Sequence, residues 1–225
     1  MATIHHVTLK PGKLELLTPW LPAQPWYAGT GTGRPELTKA GGFRLDDPEG
    51  EVGIEFMAVA DGSGGRPVVY LVPMTYRGAP LEGAGQALIG TLEHEALGKR
   101  WVYDGTHDPV LVAQLCALLQ GDAEPQAQSL SDTPDRSVTR SFAGETGRGA
   151  ALRSTVVDSG PRSTDLVVET AAGQLVLRVN RVLDPGRSDE DGAAPVPAQM
   201  RGHVTAGWRL PDGAEGRGPF AVVRD

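Results

Sequence analysis

Apolar and polar residues alternate over short runs in the first half of the chain, and glycine-rich turns separate these runs. The alternation over residues 43–46, 51–60 and 68–76 predicts three antiparallel strands in a meander, because successive strand residues point to opposite faces. Residues 47–50 (DPEG) fit the intervening turn, since proline presets φ and glycine tolerates positive φ. Pro73 in the third run predicts an edge or a bulge, because proline has no N–H for a sheet ladder.

The clearest helical pattern follows Asp108 and continues to residue 120. Asp108 is suited to the N-cap and Pro109 to the first helical position. Leucines at positions 111, 115, 118 and 119 form one apolar face at helical spacing. Gly121 then predicts the end of the helix.

The patterns between and before these elements are shorter. Residues 2–10 and 99–104 predict strands. Residues 13–21 predict a short amphipathic helix that prolines interrupt. Thr91 is suited to the N-cap of a helical turn.

The second half changes character after a stretch with almost no large apolar residue. That stretch predicts a linker, and the runs beyond it predict a mostly antiparallel sheet with a hairpin at Asp212-Gly213 and a long loop at residues 184–199. The β-like runs are residues 152–158, 165–170, 174–183, 203–210 and 219–224. We therefore predict the α+β class, with an antiparallel sheet and a few flanking helices in residues 1–121, a linker at 122–136 and a β-rich region at 137–225.

Charge and composition narrow the function classes. The formal net charge is −7 and both halves are mildly acidic, so no basic stripe suits a nucleic acid or an anionic membrane. No apolar run is long enough for a membrane span and no signal-peptide pattern is present, which predicts a cytoplasmic protein. The single cysteine, Cys116, lies in an apolar helical run and is expected to be a small buried hydrophobe.

Catalytic motifs do not emerge from the sequence. The G-x-G-x-G at residues 29–33 lacks the spacing of a dinucleotide site and predicts a loop. His94 lies between Glu93 and Glu95, but consecutive residues point in different directions, so no metal is expected there. The carboxylates at 46–47 and 189–191 lie in turn-rich sequence and are expected to be solvated. Neither a cofactor nor a metal is predicted.

Several ordered motifs in residues 1–120 resemble the N-terminal cap domain of bacterial maltokinases. They are WYAG at residue 26, GFRLDDPEGEVGIEF at 42, YLVPMTYRGAPL at 70, LIGTLEH at 88 and KRWVYDGTHDP at 99. The resemblance implies an antiparallel sheet with flanking helices. In that family the cap precedes a two-lobed kinase that phosphorylates maltose with ATP and magnesium, and the product feeds α-glucan synthesis from trehalose.

The kinase motifs of that family are missing from the chain. The resemblance implies a catalytic aspartate in an H-G-D-x-H-like loop, which the sequence does not contain. Residues 174–186 resemble the N-lobe strand that carries a phosphate-contacting lysine, but the matching residue is Arg178, which makes the region at most a relic of a kinase N-lobe. Stand-alone cap-like proteins of this size are often labelled glucan-branching proteins, although no branching-enzyme barrel fits in 225 residues.

The resemblance and the missing kinase motifs favour a non-catalytic protein of α-glucan, maltose, trehalose and glycogen metabolism. Its expected partner is a sugar ligand or a protein such as maltokinase or trehalose synthase. The alternative is a degenerate phosphotransferase or nucleotide binder that uses Arg178, and a homodimer formed through a sheet edge is a third hypothesis. The predicted ligand surface consists of Tyr76, Arg77, His94, Arg100, Trp101 and Tyr103. The structural alternative treats Trp101 and Tyr103 as core residues and Arg77 as a solvated turn residue.

Overall fold

A computed structural model describes residues 9–29, 33–128, 133–144, 153–170, 173–184 and 200–224. Residues 2–8 of the strand predicted at 2–10, the middle of the loop at 30–32, and the loop and acidic run within 185–199 lie outside these residues. Two α-helices and fourteen strands form in the described part. The helices are α1 (Lys13–Trp20) and α2 (Pro109–Gln120). The strands are β1 (Leu9–Lys10), β2 (Leu37–Leu45), β3 (Gly53–Asp61), β4 (Val68–Arg77), β5 (Leu88–His94), β6 (Gly98–Asp104), β7 (Gln126–Ala127), β8 (Thr139–Phe142), β9 (Arg153–Ser159), β10 (Ser163–Thr170), β11 (Gly173–Asn180), β12 (Val182–Leu183), β13 (Met200–Arg209) and β14 (Glu215–Arg224).

All of these strands join one antiparallel sheet. Its order is β1-β5-β6-β4-β3-β2-β13-β14-β11-β10-β9, while β12 pairs with β4, β7 with β2 and β8 with β13. The predicted meander is confirmed as β2-β3-β4, and β13 and β14 form the hairpin predicted around Asp212-Gly213. The described fold is therefore mostly antiparallel β-sheet with two short helices, which is richer in strands than the predicted α+β sheet with several helices.

Helix α2 begins and ends where its sequence predicts. The Asp108 carboxylate accepts a hydrogen bond from the Val110 N–H at 3.0 Å, and Gly121 adopts a left-handed φ of 90°. Cys116 lies on this helix with 1% exposure. Burial raises the pKa of its thiol to about 12, so Cys116 is a small buried hydrophobe as predicted.

Pro73 corrects the expectation of an edge strand. Strand β4 lies between β3 and two partners, β12 at Val69–Tyr70 and β6 at Met74–Arg77. The N–H of Leu71 points away from β3, to the Arg181 carbonyl at 2.9 Å. Two residues further on, the nitrogen of Pro73 faces the same side, between the ends of β12 and β6. The proline is tolerated in an interior strand because no ladder bond falls at its position.

Thr91 does not begin a helical turn as predicted, because it lies inside β5 opposite Trp101 of β6. Gly90 weakens a helix here and serves close packing instead. At Gly90, a Cβ would lie 2.8 Å from the Leu16 Cδ2 atom of α1. Pairing with β6 and packing against α1 outweigh the local N-cap signal.

The two predicted parts of the chain share a core. The rings of Phe43 and Phe56 stack at 4.7 Å between centroids, and Phe220 from β14 lies 5.9 Å from Phe43. Helix α2 packs into the same cluster of buried residues. The segment predicted as a linker contributes β7 to the sheet by pairing with β2. The domain bounds at 121 and 137 stay a prediction, but the packing joins both sides of them.

Candidate functional site

The six residues predicted to bind a ligand lie on two opposite faces of the sheet. In the register, Tyr76 is opposite Val102, Arg77 is opposite Trp101, and Arg100 is opposite Leu92. Since successive strand residues alternate between faces, neighbours such as 76 and 77 cannot share one. Tyr76, His94 and Arg100 lie on the face that α1 covers, here called the α1 face. Arg77, Trp101 and Tyr103 lie on the face where α2 begins, here called the α2 face. The structure therefore does not bring the six residues together in one surface.

On the α2 face, two of the three predicted residues make structural contacts. Arg77 holds both carboxylate oxygens of the buried Asp108 at 2.6 Å, so it is an ion-paired residue and not a solvated turn residue. Tyr103 is 2% exposed, and its hydroxyl accepts a hydrogen bond from the Leu81 N–H at 2.9 Å. Trp101 is partly exposed, with the Lys99 ammonium 5.0 Å from its ring centroid. Trp101 is thus the member of this trio that is best placed to meet a ligand.

On the α1 face, His94 and Arg100 shape the turn between β5 and β6. The Nδ1 atom of His94 accepts hydrogen bonds from the N–H groups of Ala96 and Leu97, both at 3.2 Å. Arg100 donates to the Leu97 carbonyl at 3.2 Å. These contacts give both side chains a structural role at this end of the sheet.

Tyr76 belongs to a polar cluster that the sequence analysis missed. Its hydroxyl donates to Glu55 Oε2 at 2.6 Å, and the Lys13 ammonium meets the same oxygen at 2.7 Å. The Gln128 amide donates to the other oxygen, Oε1, at 2.8 Å. Lys39 lies near enough for the charges of Glu55 and Lys13 to act on its ammonium. We call these five residues the Glu55 cluster.

Burial and charge perturb three groups of the Glu55 cluster. Glu55 is 2% exposed. Burial raises the pKa of its carboxyl, but Lys13 and the Tyr76 hydroxyl outweigh burial and leave the pKa below its usual value. Burial and the adjacent Glu55 charge raise the pKa of Tyr76 well above its usual value. Burial lowers the pKa of Lys39, and Glu55 partly opposes that effect. Perturbed titratable groups that gather in this way mark a candidate functional site.

Chemically, the Glu55 cluster offers ammonium, amide and hydroxyl donors around an ionised carboxylate. The Lys13 side chain remains 32% exposed, so a polar ligand can approach the cluster from its side. Such a set suits hydrogen bonding to hydroxyl-rich or charged groups. Across the described residues, no group of three or more His, Cys, Asp or Glu side chains is arranged to hold a metal ion.

One signal in the sequence could have drawn attention to Glu55. It interrupts the strand GIEFMAVAD, in which every residue from Ile54 to Asp61 is buried. A charged residue inside such a run needs a partner, because an unpaired buried charge is unfavourable. Its partners Lys13 and Gln128 lie 42 and 73 positions away, so local patterns do not identify them.

A second missed feature is the buried Arg181, which follows β11. Its guanidinium donates to Asp104 Oδ2 at 2.6 Å and to Thr164 Oγ1 at 2.8 Å. The guanidinium carbon lies 5.0 Å from the ring centroid of Trp26. Arg181 thus joins Asp104 of β6 and Trp26 of the segment after α1 to Thr164 of β10.

Glu55→Gln should lower the free energy of unfolding by about 1–2 kcal/mol at pH 7, because the buried network loses its ionic member. The folded pKa of Glu55 is lowered, so its stabilisation is complete above the unfolded value. It is lost as the pH falls from about 4.3 through the folded value. Urea unfolding from pH 3 to 7 should therefore show the difference between protein and variant shrinking in acid.

The exposed Glu82 provides the control for this prediction. Glu82→Gln should change the free energy of unfolding by less than about 0.5 kcal/mol at every pH. A Glu55→Gln difference that stays constant from pH 3 to 7 would contradict the assignment of a lowered pKa.

Comparison with protein families matches residues 20–108 to the maltokinase N-terminal cap domain. Residues 20–108 are similar to that cap domain. This cap segment covers about two fifths of the chain, from the end of α1 to the N-cap of α2. The resemblance found in the sequence is thereby confirmed for these residues. None of the curated proteins compared with the chain matches it.

The cap segment contains the predicted ligand residues and parts of both the Glu55 cluster and the Arg181–Asp104 ion pair. All six predicted ligand residues, Glu55 and Lys39 lie within it, whereas Lys13 and Gln128 lie on either side of it. Asp104, the ionic partner of Arg181, also belongs to the cap segment. Among the helices in the described ranges, none combines the length and the apolar character that crossing a lipid bilayer requires.

Proposed function

We propose that the chain is a non-catalytic binding or regulatory protein of α-glucan metabolism, which includes maltose, trehalose and glycogen. The observation that carries the proposal is the match of residues 20–108 to the cap domain of maltokinases. The cap segment recognises either a sugar or a protein such as maltokinase or trehalose synthase. The protein acts in the cytoplasm.

Two surfaces, one within the cap segment and one at its edge, support this role. The partly exposed Trp101 on the α2 face has an aromatic ring of the kind that stacks on sugars. On the α1 face, the Lys13 ammonium is paired with Glu55, and the Lys13 side chain is 32% exposed. Because the two surfaces lie on opposite faces, each can be altered without changing the other.

The alternative function, a degenerate maltokinase-like phosphotransferase or nucleotide binder, depends on Arg178. The Arg178 Nε and Nη2 atoms donate to the two Asp165 oxygens at 2.6 and 2.5 Å. Asp165 is its direct partner across β10 and β11. A guanidinium committed to a carboxylate in its own sheet is poorly placed to contact a phosphate, which favours the binding protein.

The test of this proposal is the melting temperature of the full chain with maltose, maltose 1-phosphate, trehalose, glycogen or Mg-ATP. A ligand at about 100 times its Kd adds about 2.7 kcal/mol. Each kcal/mol corresponds to about 2–4 °C for a protein of this size. A sugar-induced rise supports the proposal, and a rise with Mg-ATP alone supports the nucleotide binder.

Two variants locate the binding surface. Trp101→Ala should abolish the sugar-induced rise if the α2 face binds, and Lys13→Met should abolish it if the α1 face binds. Each variant is the control for the other.

Co-elution with maltokinase or trehalose synthase tests the protein-partner form, and light scattering tests the homodimer. The proposal fails if no sugar raises the melting temperature and neither enzyme co-elutes.

A further inference from the structure

The Trp101 side chain lies in a row of three residues on the α2 face. In the register, Trp101 is opposite Thr91 of β5 on one side and opposite Arg77 of β4 on the other. Directly opposed residues share a face of an antiparallel sheet, and their Cβ atoms lie about 4.5–5.5 Å apart. We call these three residues the Trp101 row. The row combines an aromatic ring with a hydroxyl group and a guanidinium group.

Arg77 is held in a fixed orientation at one end of this row. Its Nε and Nη2 atoms each donate to a carboxylate oxygen of Asp108 at 2.6 Å. Asp108 also caps α2, so the guanidinium is tied to the start of a helix. Neither of these bonds uses Nη1, and the Arg77 side chain is 20% exposed. A ligand beside the Trp101 ring can therefore accept a hydrogen bond from Arg77 without breaking the ion pair.

The charges around the Trp101 row are balanced. Arg77 is bound to Asp108, and the charge of Asp47 acts on the same guanidinium. Lys99 lies opposite Glu93 across β5 and β6. Each cation thus has an acidic neighbour, and the whole chain carries a net charge of −7. A phosphate group would meet no surplus of positive charge here, so an uncharged ligand with hydroxyl groups fits the row better.

Lys99 covers the side of the Trp101 ring that borders solvent. Its ammonium lies 5.0 Å from the ring centroid, and Lys99 itself is exposed. Elsewhere, the Trp101 side chain packs against the small buried cluster of Ala84, Ala87 and Tyr103. A ligand that stacks on the ring must therefore displace Lys99. At an exposed site, the cation–π contact that is lost corresponds to about two- to fivefold in affinity.

We propose that the Trp101 row binds an uncharged sugar residue and that Lys99 competes with this sugar for the ring. The inference rests on the proposed function and specifies its ligand class and its site. The apolar C–H face of a pyranose stacks on the indole, while the Arg77 Nη1 group and the Thr91 hydroxyl form hydrogen bonds with the sugar hydroxyls. Binding requires no phosphate on the sugar.

The first experiment measures the Kd of the full chain for maltose and for maltose 1-phosphate by isothermal titration calorimetry. Maltose should bind at least as tightly as maltose 1-phosphate. The Kd for maltose should change less than about twofold between about 50 and 300 mM NaCl, because salt screens interactions between charges. Tighter binding of maltose 1-phosphate than of maltose overturns the proposal.

The second experiment tests the competition by Lys99. Lys99→Ala should tighten the binding of maltose about two- to fivefold, because the sugar no longer displaces an ammonium. Lys10 is also exposed and also lies opposite Glu93. Lys10→Ala is therefore the matched control for the loss of a lysine beside that glutamate, and it should leave the Kd unchanged. A Lys99→Ala variant that binds maltose no more tightly than the unaltered chain overturns the competition.

Variants of the row itself test the contacts with the sugar. Thr91→Val keeps the branched shape and removes the hydroxyl, so it should weaken the binding of maltose about two- to tenfold. Trp101→Ala should weaken it at least about tenfold. Trp101→Phe keeps an aromatic ring for stacking and should weaken it less than Trp101→Ala does.

The outcomes separate this inference from the proposed function. Binding of maltose that Lys13→Met abolishes and both Trp101 variants leave unchanged overturns the inference and keeps the proposed function. Co-elution with maltokinase or trehalose synthase in the absence of any sugar binding does the same. Absence of both sugar binding and co-elution refutes the inference and the proposed function together.

Discussion

Arg181→Met should lower the free energy of unfolding by about 3–5 kcal/mol, because it leaves the buried Asp104 carboxylate without its ionic partner. Arg181 is 1% exposed and Asp104 is 4% exposed, so water does not replace the lost contact. The variant also loses the hydrogen bond to Thr164 and the contact with the Trp26 ring. Chemical denaturation at pH 7 with circular dichroism measures the change.

A double-mutant cycle separates the ion pair from the loss of packing. Asp104→Asn keeps the Oδ1 acceptor that binds the N–H and hydroxyl of Thr106. In the Arg181→Met background it should restore part of the stability, because no buried charge remains. The exposed ion pair of Arg209 and Glu215 is the matched control, and Arg209→Met should cost less than about 1 kcal/mol. An Arg181→Met effect as small as that of Arg209→Met would refute the role of the buried pair.

The Arg181 contacts also bear on the cooperativity of folding. They connect Asp104 in the cap segment to Thr164 in β10, and the aromatic core joins the same two parts. A single unfolding transition is therefore expected for the chain, in both the protein and the Asp104→Asn, Arg181→Met variant. This connection depends on residues that lie 77 positions apart, so it could not be inferred from a sequence pattern.

Local signals were sufficient for the elements whose geometry is local. The turn signal at residues 47–50 correctly predicted the first hairpin, and Asp108 and Gly121 correctly predicted the two ends of α2. Strand β5 was not predicted because Gly90 weakens a helix and a strand alike, and the packing of this strand against α1 decides between them. The pairing of β2 with β13 could not be predicted from the sequence either, because it depends on one register pair, Gly41 with Trp208.

The prediction of the ligand surface failed for a different reason. The sequence predicts strands at residues 68–76 and 99–104, and strand alternation places 100 and 101 on opposite faces. Consistent use of that alternation is enough to show that neighbours such as Arg100 and Trp101 cannot belong to one surface. The Glu55 cluster needs more than alternation, because α1, β2, β3, β4 and the segment after β7 each contribute one residue.

Gly42→Ala should lower the free energy of unfolding by about 2–4 kcal/mol, since both the backbone conformation and the available space oppose a Cβ. Gly42 has a φ of 122° in β2, where residues with side chains are strained. A Cβ there would lie 1.9 Å from the Phe56 carbonyl oxygen, so the β2–β3 pairing must shift. Thermal unfolding should show a fall of roughly 4–16 °C at this chain length.

Gly50→Ala in the turn of the same hairpin is the matched control for Gly42→Ala. Gly50 has a φ of 72° but open space around its Cβ position, so strain alone should cost about 1–2 kcal/mol. The two variants also differ in their effect on the Glu55 cluster. The Cβ of residue 42 would lie 3.1 Å from the Gln128 amide nitrogen, which donates to Glu55, whereas residue 50 has no such neighbour. Gly42→Ala should therefore displace the Gln128 amide from Glu55, while Gly50→Ala leaves that hydrogen bond unchanged. Equal losses of stability in the two variants would show that the close approach of β2 to Phe56 contributes nothing beyond backbone strain.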